Sequence, residues 1–227
     1  MGPWLLASGQ ITINLGGALH KPSSSILVLF GVALLTLAPS LLILLTGFTK
    51  IVIVLGLTRQ ALGLTTTPPN QVLVGIALFV SIFLMAPTLS TLNHVALQPY
   101  LHGRLSASEA FGKAEVPLKH WMLRQTGRQE LGLTAHAVHQ RATHPMHDPI
   151  TTIIPAFLLT QLKDAFIIGF VIFVPFLVID LVVASTLMSM GIVMLPPTLV
   201  SLPFKLLLFV LVDGWVLVVQ SLITSFR

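Results

Sequence analysis

The chain has 227 residues, of which 55% are hydrophobic and only 8% charged, with a formal net charge of +5. An ordinary soluble domain carries about 25% charged residues, so this is a membrane protein or one that buries nearly all its surface in partners. The absence of cysteine excludes disulfides, thiolate metal sites and cysteine nucleophiles. The basic residues are scattered, without the run or stripe that a nucleic-acid partner needs.

Residues 1–25 read as a flexible arm ending at Lys21-Pro22-Ser23-Ser24-Ser25. They lack the basic leading region of a signal peptide, and the apolar piece Trp4–Ala7 is short. Apolar segments follow at about Ile26–Phe48, Val72–Leu89, Phe166–Met190 and Leu199–Ile223. Each is near the ~20 residues, at 1.5 Å rise, that a hydrocarbon core requires. Pro39 and Pro175 fall inside the first and third and predict kinks. Thr67-Pro68-Pro69-Asn70 and Leu195-Pro196-Pro197-Thr198 cannot continue a helix, because each double proline removes two donors. The expected fold is therefore an all-α membrane protein: two proline-turned helical hairpins, at 26–97 and 151–227, separated by an amphipathic helical insertion at 98–150.

In the insertion, Ser106-Ala107-Ser108-Glu109 is a capping-box signature for a helix start. Phe111, Ala114, Leu118 and Trp121 then recur at helical spacing, a stripe that predicts packing on the hairpins. Pro117 is expected to break or kink this helix. The first turn, with Lys50 and Arg59, and the insertion are both basic. The positive-inside preference would put both on the cytoplasmic side, yet one spanning segment separates them, so charge does not set the topology.

Three charges interrupt the second hairpin: Asp180, Lys205 and Asp213. Each costs roughly 2.5–3.5 kcal/mol to insert into hydrocarbon, so such groups face protein or water. On a continuous helix, Lys205 and Asp213 share a face but stand about 12 Å apart along the axis. Lys205 must then find its partner on another helix or subunit, and Asp180 is the obvious candidate. The pair is either functional or a structural ion pair that aids assembly. The loop Met188-Ser189-Met190-Gly191-Ile192-Val193-Met194 combines adaptable methionine side chains with a glycine; it either seals around a passing chain or packs a helix end. His136, His139, His144 and His147 cluster in the insertion, but without a His-Glu-x-x-His pattern they read as solvated histidines and not a metal site. Glycine-rich phosphate loops and nucleophile elbows are absent, so neither cofactor nor catalytic residue is expected. From composition alone the leading alternative is a proton-coupled small-molecule transporter using Asp180, Lys205 and Asp213, with a histidine-metal membrane enzyme as a third class.

The ordered motifs point elsewhere. Phe48-Thr49-Lys50-Ile51-Val52-Ile53-Val54-Leu55, Arg59-Gln60-Ala61-Leu62-Gly63 and Thr67-Pro68-Pro69-Asn70-Gln71-Val72-Leu73 resemble the first hairpin of the FliP family. Gln98-Pro99-Tyr100-Leu101 and Met122-Leu123-Arg124-Gln125-Thr126 resemble its middle region; Pro175–Ser185 and Ser201–Trp215 resemble its second hairpin. The resemblance covers roughly residues 26–227. It implies a non-enzymatic, inner-membrane subunit of the flagellar type III export gate in the basal body. Copies of the chain would form a ring-like complex with FliQ and FliR, joined by FlhA and FlhB, in contact with lipid but lifted largely out of the bilayer plane. Unfolded rod, hook and filament subunits would pass through its centre. The insertion would lie on the periplasmic side.

The same resemblance assigns site residues. Met188, Met190, Ile192, Val193 and Met194 match a pore gasket, with Ile192 and Val193 replacing methionines and stiffening it through β-branching. Trp121 stands where the family has a phenylalanine that helps plug the pore. Asp180 and Lys205 match a charged pair, with Asp213 beside it; Arg59, Lys163 and Asp164 are polar interface candidates. Gln161 stands where relatives have Glu, which leaves the partner of Lys163 open. Injectisome proteins of the SctR type share this plan and differ in cargo.

Overall fold

The structure is a computed structural model that describes residues 32, 36, 43–137, 146, 148–192 and 194–226. The N-terminal arm, most of the first apolar segment with Pro39, three of the clustered histidines (His139, His144 and His147) and Val193 lie outside the described residues. The chain divides at Leu41 into two units. In the first, Val32 and Thr36 are helical and exposed. Everything below concerns the second.

Among the described residues every regular element is helical. Helix α1, Phe48–Ala61, is an element that the apolar-segment reading did not separate. Ile51, Val54, Leu55 and Thr58 recur at helical spacing and are completely buried, so this short helix is the centre of the main core and packs chiefly on the long helix α6. It ends at Leu62–Gly63, where Gly63 takes the left-handed conformation (φ 77°) that costs glycine least. Pro68 and Pro69 then turn the chain into α2, Asn70–Leu92.

The α2 helix runs on through a π-helical turn, Asn93–Leu97, into the short α3, Gln98–Leu101, so it is longer than the Val72–Leu89 segment. The capping box of α4, Ala107–Arg124, is formed: the Glu109 N–H donates to Ser106 Oγ at 3.3 Å, and the Ser106 N–H donates to Glu109 Oε2 at 2.8 Å. Of the break or kink expected at Pro117, the break does not occur: α4 continues through it. The carbonyl that loses its donor belongs to Lys113, on an exposed part of the helix, where water can replace the lost bond. The apolar stripe is buried only towards its end: Trp121 is 3% exposed and Phe111 is 75% exposed. Helix α5, Arg128–Ala137, lies against α6.

Helix α6, Ile150–Ser189, has 40 residues, about 60 Å at 1.5 Å per residue and twice a hydrocarbon core. It begins well before the expected Phe166, because Thr152, Ile153, Ala156 and Phe157 bury a face in a second core with Trp121 and Met122. Gly169 lets α1 approach closely; a Cβ there would lie 2.2 Å from Leu57 Cδ1. Beyond this, one face of α6 joins the main core through Ala165 and Phe176, while Phe166, Phe170, Val171, Leu181 and Val182 on its other side are exposed.

The fourth apolar segment is not one helix. Helix α7, Pro197–Leu211, and α8, Gly214–Thr224, meet at a 63° bend. Asp213 occupies the corner in the left-handed region (φ 50°). The shared face expected for Lys205 and Asp213 therefore does not exist. Among the described residues, two helices are long and apolar enough to cross a membrane, α2–α3 and α6, or three if α7 and α8 count as one bent span.

Candidate functional site

Asp180 projects from the second half of α6, and Ser201 and Lys205 lie one turn apart on α7. Lys205 Nζ sits 2.6 Å from Asp180 Oδ2 and donates to the carbonyl of Ala61 at 3.2 Å. The Ser201 hydroxyl donates to the other carboxylate oxygen, Asp180 Oδ1. Ala61 is the last residue of α1, where carbonyls lack intrahelical donors and carry partial negative charge. One ammonium thus ties three helices. The Lys205 side chain is 4% exposed and that of Asp180 29%, so the carboxylate keeps an outward edge while the lysine is enclosed.

Asp213 is not a member of this cluster. It is exposed, and its carbonyl accepts from the N–H groups of Val216 and Leu217 at the start of α8. The following Gly214 leaves room for Phe209, whose ring would lie 2.2 Å from a Cβ there and packs edge-on to Trp215 at 5.2 Å. Asp213 is a corner residue. The Asp-Gly dipeptide carried that signal, and the surrounding apolar run concealed it.

The other polar candidates find partners within the chain. Arg59 Nη1 donates to Pro68 O at 3.1 Å and Asn70 Oδ1 at 2.7 Å, spanning the α1–α2 turn. The partner of Lys163 is Glu130, at 2.9 Å; the hydrogen bond from Lys163 holds the Glu130 carboxyl below its ordinary range. Gln161 is fully buried and donates to Gln125 O at 3.3 Å. Asp164 pairs with Lys50 at 3.6 Å.

Lys50 is the residue that sequence reasoning undervalued, treating it only as a topology marker. Its side chain is fully buried, 3.8 Å from the centroid of Phe226, and it donates to Ser225 O at 3.4 Å. Trp121 also stacks on Phe226, with its ring centroid 6.2 Å from that of Phe226. Trp121 is therefore a core side chain of this fold, not an exposed one.

The methionine loop has the opposite character. Gly191 ends α6 with φ 74°, and Met188, Met190 and Met194 are 70%, 68% and 99% exposed; Ile192 is half-buried. His136 lies exposed near the end of α5, and no group of three or more metal-ligating side chains occurs among the described residues.

Residues 31–222 match the FliP family. Three relatives, each a "Flagellar biosynthetic protein FliP", span nearly the whole length. The protein of Bacillus subtilis is 51% identical over 205 residues, 90% of this chain and 93% of its own. That of Aquifex aeolicus is 46% identical over 206 residues, 89% of this chain and 86% of its own. That of Caulobacter vibrioides is 45% identical over 224 residues, 98% and 84%. With its core, its turns and its α6–α7 charge cluster all inside the matched region, this chain belongs to the FliP family.

Proposed function

We propose that this chain is a membrane subunit of the bacterial flagellar type III protein export gate. Copies of it assemble in a ring with FliQ and FliR, next to FlhA and FlhB in the inner membrane at the basal body, and unfolded flagellar subunits pass through the centre. One observation supports this beyond family membership. The second half of α6 exposes a broad apolar face, with Phe170, Val171, Leu177, Leu181 and Val182 outward, while its one acid is paired within the chain with Lys205. Such a surface needs lipid or neighbouring subunits to cover it.

In this reading the Asp180–Lys205 pair fixes the α6–α7 hairpin for assembly. Met188, Met190, Ile192, Val193 and Met194 form the gasket; unbranched methionines conform to a moving chain, and the β-branched pair stiffens the loop. We assign Trp121 to the subunit core instead of a pore plug, because it is buried against Phe226. Arg59, Lys163 and Asp164 act first as internal ties. The role is non-enzymatic. The relatives named above are flagellar proteins, which favours flagellar over injectisome cargo. A proton-coupled transporter would have used Asp180, Lys205 and Asp213 together, and the bend at Asp213 takes away the face it would have shared with Lys205.

The test is secretion of hook protein and flagellin from the host lacking this gene. Loss of both, restored by the wild-type chain, is expected. Undiminished secretion would exclude the assignment.

A further inference from the structure

Among the described residues the methionines divide by access to solvent. Met85 and Met122 lie in the cores, 3% and 0% exposed, whereas Met188, Met190 and Met194 stand outward around the turn that ends α6. That turn is held by the backbone: the N–H groups of Met190, Gly191 and Ile192 donate to the carbonyls of Thr186, Met188 and Leu187 at 3.1, 3.0 and 3.0 Å. The three thioethers carry none of these bonds, so their chemistry can change while the turn keeps its shape. A thioether has no proton to lose. Its sulfur lone pair is always available, and access sets its rate of oxidation. The chain has no cysteine, so no thiol of its own competes for an oxidant.

Oxidation replaces a soft apolar sulfur with a polar, hydrated S=O acceptor. A hydrophobic constriction excludes ions by staying dry, and three sulfoxides from each copy would wet it. Ile192 and Val193 are hydrocarbon and inert to the same oxidant. We propose that Met188, Met190 and Met194 are an oxidation site through which a hydroperoxide loosens the seal, an inference that rests on the gasket reading above. At each sulfur the lone pair attacks one oxygen of hydrogen peroxide. The S–O bond forms as the O–O bond breaks, the transferred oxygen passes its proton to the departing hydroxide, and water leaves. Sulfur loses two electrons and the peroxide gains them. The change is reversible: in a sulfoxide reductase two thiols return the electrons, becoming a disulfide with release of water.

Membrane vesicles from cells assembling the complex, treated with hydrogen peroxide, test this. Ion leakage is read beside the sulfoxide content of each methionine peptide. The loop methionines should oxidise about tenfold faster than Met85 and Met122, which react only on local opening. Leakage should rise severalfold with loop sulfoxide, and fall again when sulfoxide reductases for both epimers and a dithiol are added. The triple variant Met188→Leu, Met190→Leu, Met194→Leu keeps apolar bulk and cannot form a sulfoxide, so from its own resting level its leakage should not rise with peroxide. Immunoblotting shows whether it accumulates; should it not, reductase reversal in the wild type decides the matter. Complete loop oxidation without added leakage overturns the proposal. So does a rise in the leucine variant equal to that of wild type, a rise that reductases do not reverse, or oxidation of Met85 and Met122 ahead of the loop. If replacing the three methionines with alanine causes leakage at rest while oxidised wild type stays tight, the seal stands and its oxidation response falls. If neither leaks, the gasket reading falls as well.

Discussion

Lys50 Nζ sits 3.8 Å above the ring of Phe226, joining the first helix of the described fold to the last residue described. The ring also stacks on Trp121, and Gly47 leaves space for it: a Cβ at 47 would lie 2.5 Å from Phe226 Cε1. The C-terminal end is therefore wedged between α1 and α4. A buried ammonium gains from a ring face and a carboxylate at once.

Phe226→Ala should destabilise the subunit by about 2 kcal/mol, below the cost at a fully buried aromatic because the ring is only half-buried. Lys50→Met should cost less than Lys50→Ala, since a methionine keeps the packing and removes the buried charge. Trp121→Phe should be close to neutral: it preserves the stack and removes an indole N–H that has no acceptor among the described residues. Thermal unfolding of the purified chain in one detergent ranks these variants. Equal stability of Phe226→Ala and wild type would remove the wedge from the account.

The Asp180–Lys205 contact supports a charge-swap series. Lys205→Ala strands Asp180 and frees the Ala61 carbonyl; removing one partner of a buried pair costs about 3–5 kcal/mol. Asp180→Lys places two ammonium groups together and should abolish flagellin secretion. The double exchange, Asp180→Lys with Lys205→Asp, should restore part of it, but not all, because the ammonium then leaves Ala61. Full secretion by the Asp180→Lys single variant would contradict the proposed role.

Acid should loosen the start of α4 before the rest of the subunit. The Glu109 carboxyl is held below its ordinary range, first by the Ser106 N–H and then by the Ser106 hydroxyl. A depressed folded value means the stabilisation is fully present above the ordinary glutamate range and is lost as pH falls through the folded value. Amide exchange at Ser106 and Glu109, the two N–H groups of the box, should therefore accelerate as pH drops below about 4.3, relative to the intrinsic rate. Glu109→Gln should flatten this response. The same profile in both would show that the cap does not carry it.

What could be read from the sequence follows from which signals are local. The double prolines, the Ser106–Glu109 box and the need of buried charges for one another are properties of a few neighbouring residues, and each appears in the fold. Helix α1 was hidden because Lys50 and Thr58 lie on its buried face, where polarity blurs the apolar period. The corner at Asp213 was hidden by apolar residues on both sides, which read as one span. The partner of Lys163 lies 33 positions away at Glu130, a tertiary fact without local trace. Phe226 and Trp121 meet only because the two ends of the described fold converge on α4.

The methionine loop yields the most direct functional prediction. Met188, Met190 and Met194 point away from the subunit, so their truncation should cost little folding stability, unlike substitutions at Lys205 or Lys50. Replacing all three with alanine removes much of the flexible apolar volume of the loop. In cells assembling the complex, this should raise resting ion leakage across the membrane while leaving protein abundance close to wild type. Replacing Ile192 and Val193 with methionine should act in the opposite sense, loosening a β-branched pair without opening the seal. Membrane conductance measured beside immunoblot levels separates the two effects. Unchanged conductance in the triple-alanine variant, at normal abundance, would place the seal elsewhere and leave the loop as a docking surface between subunits.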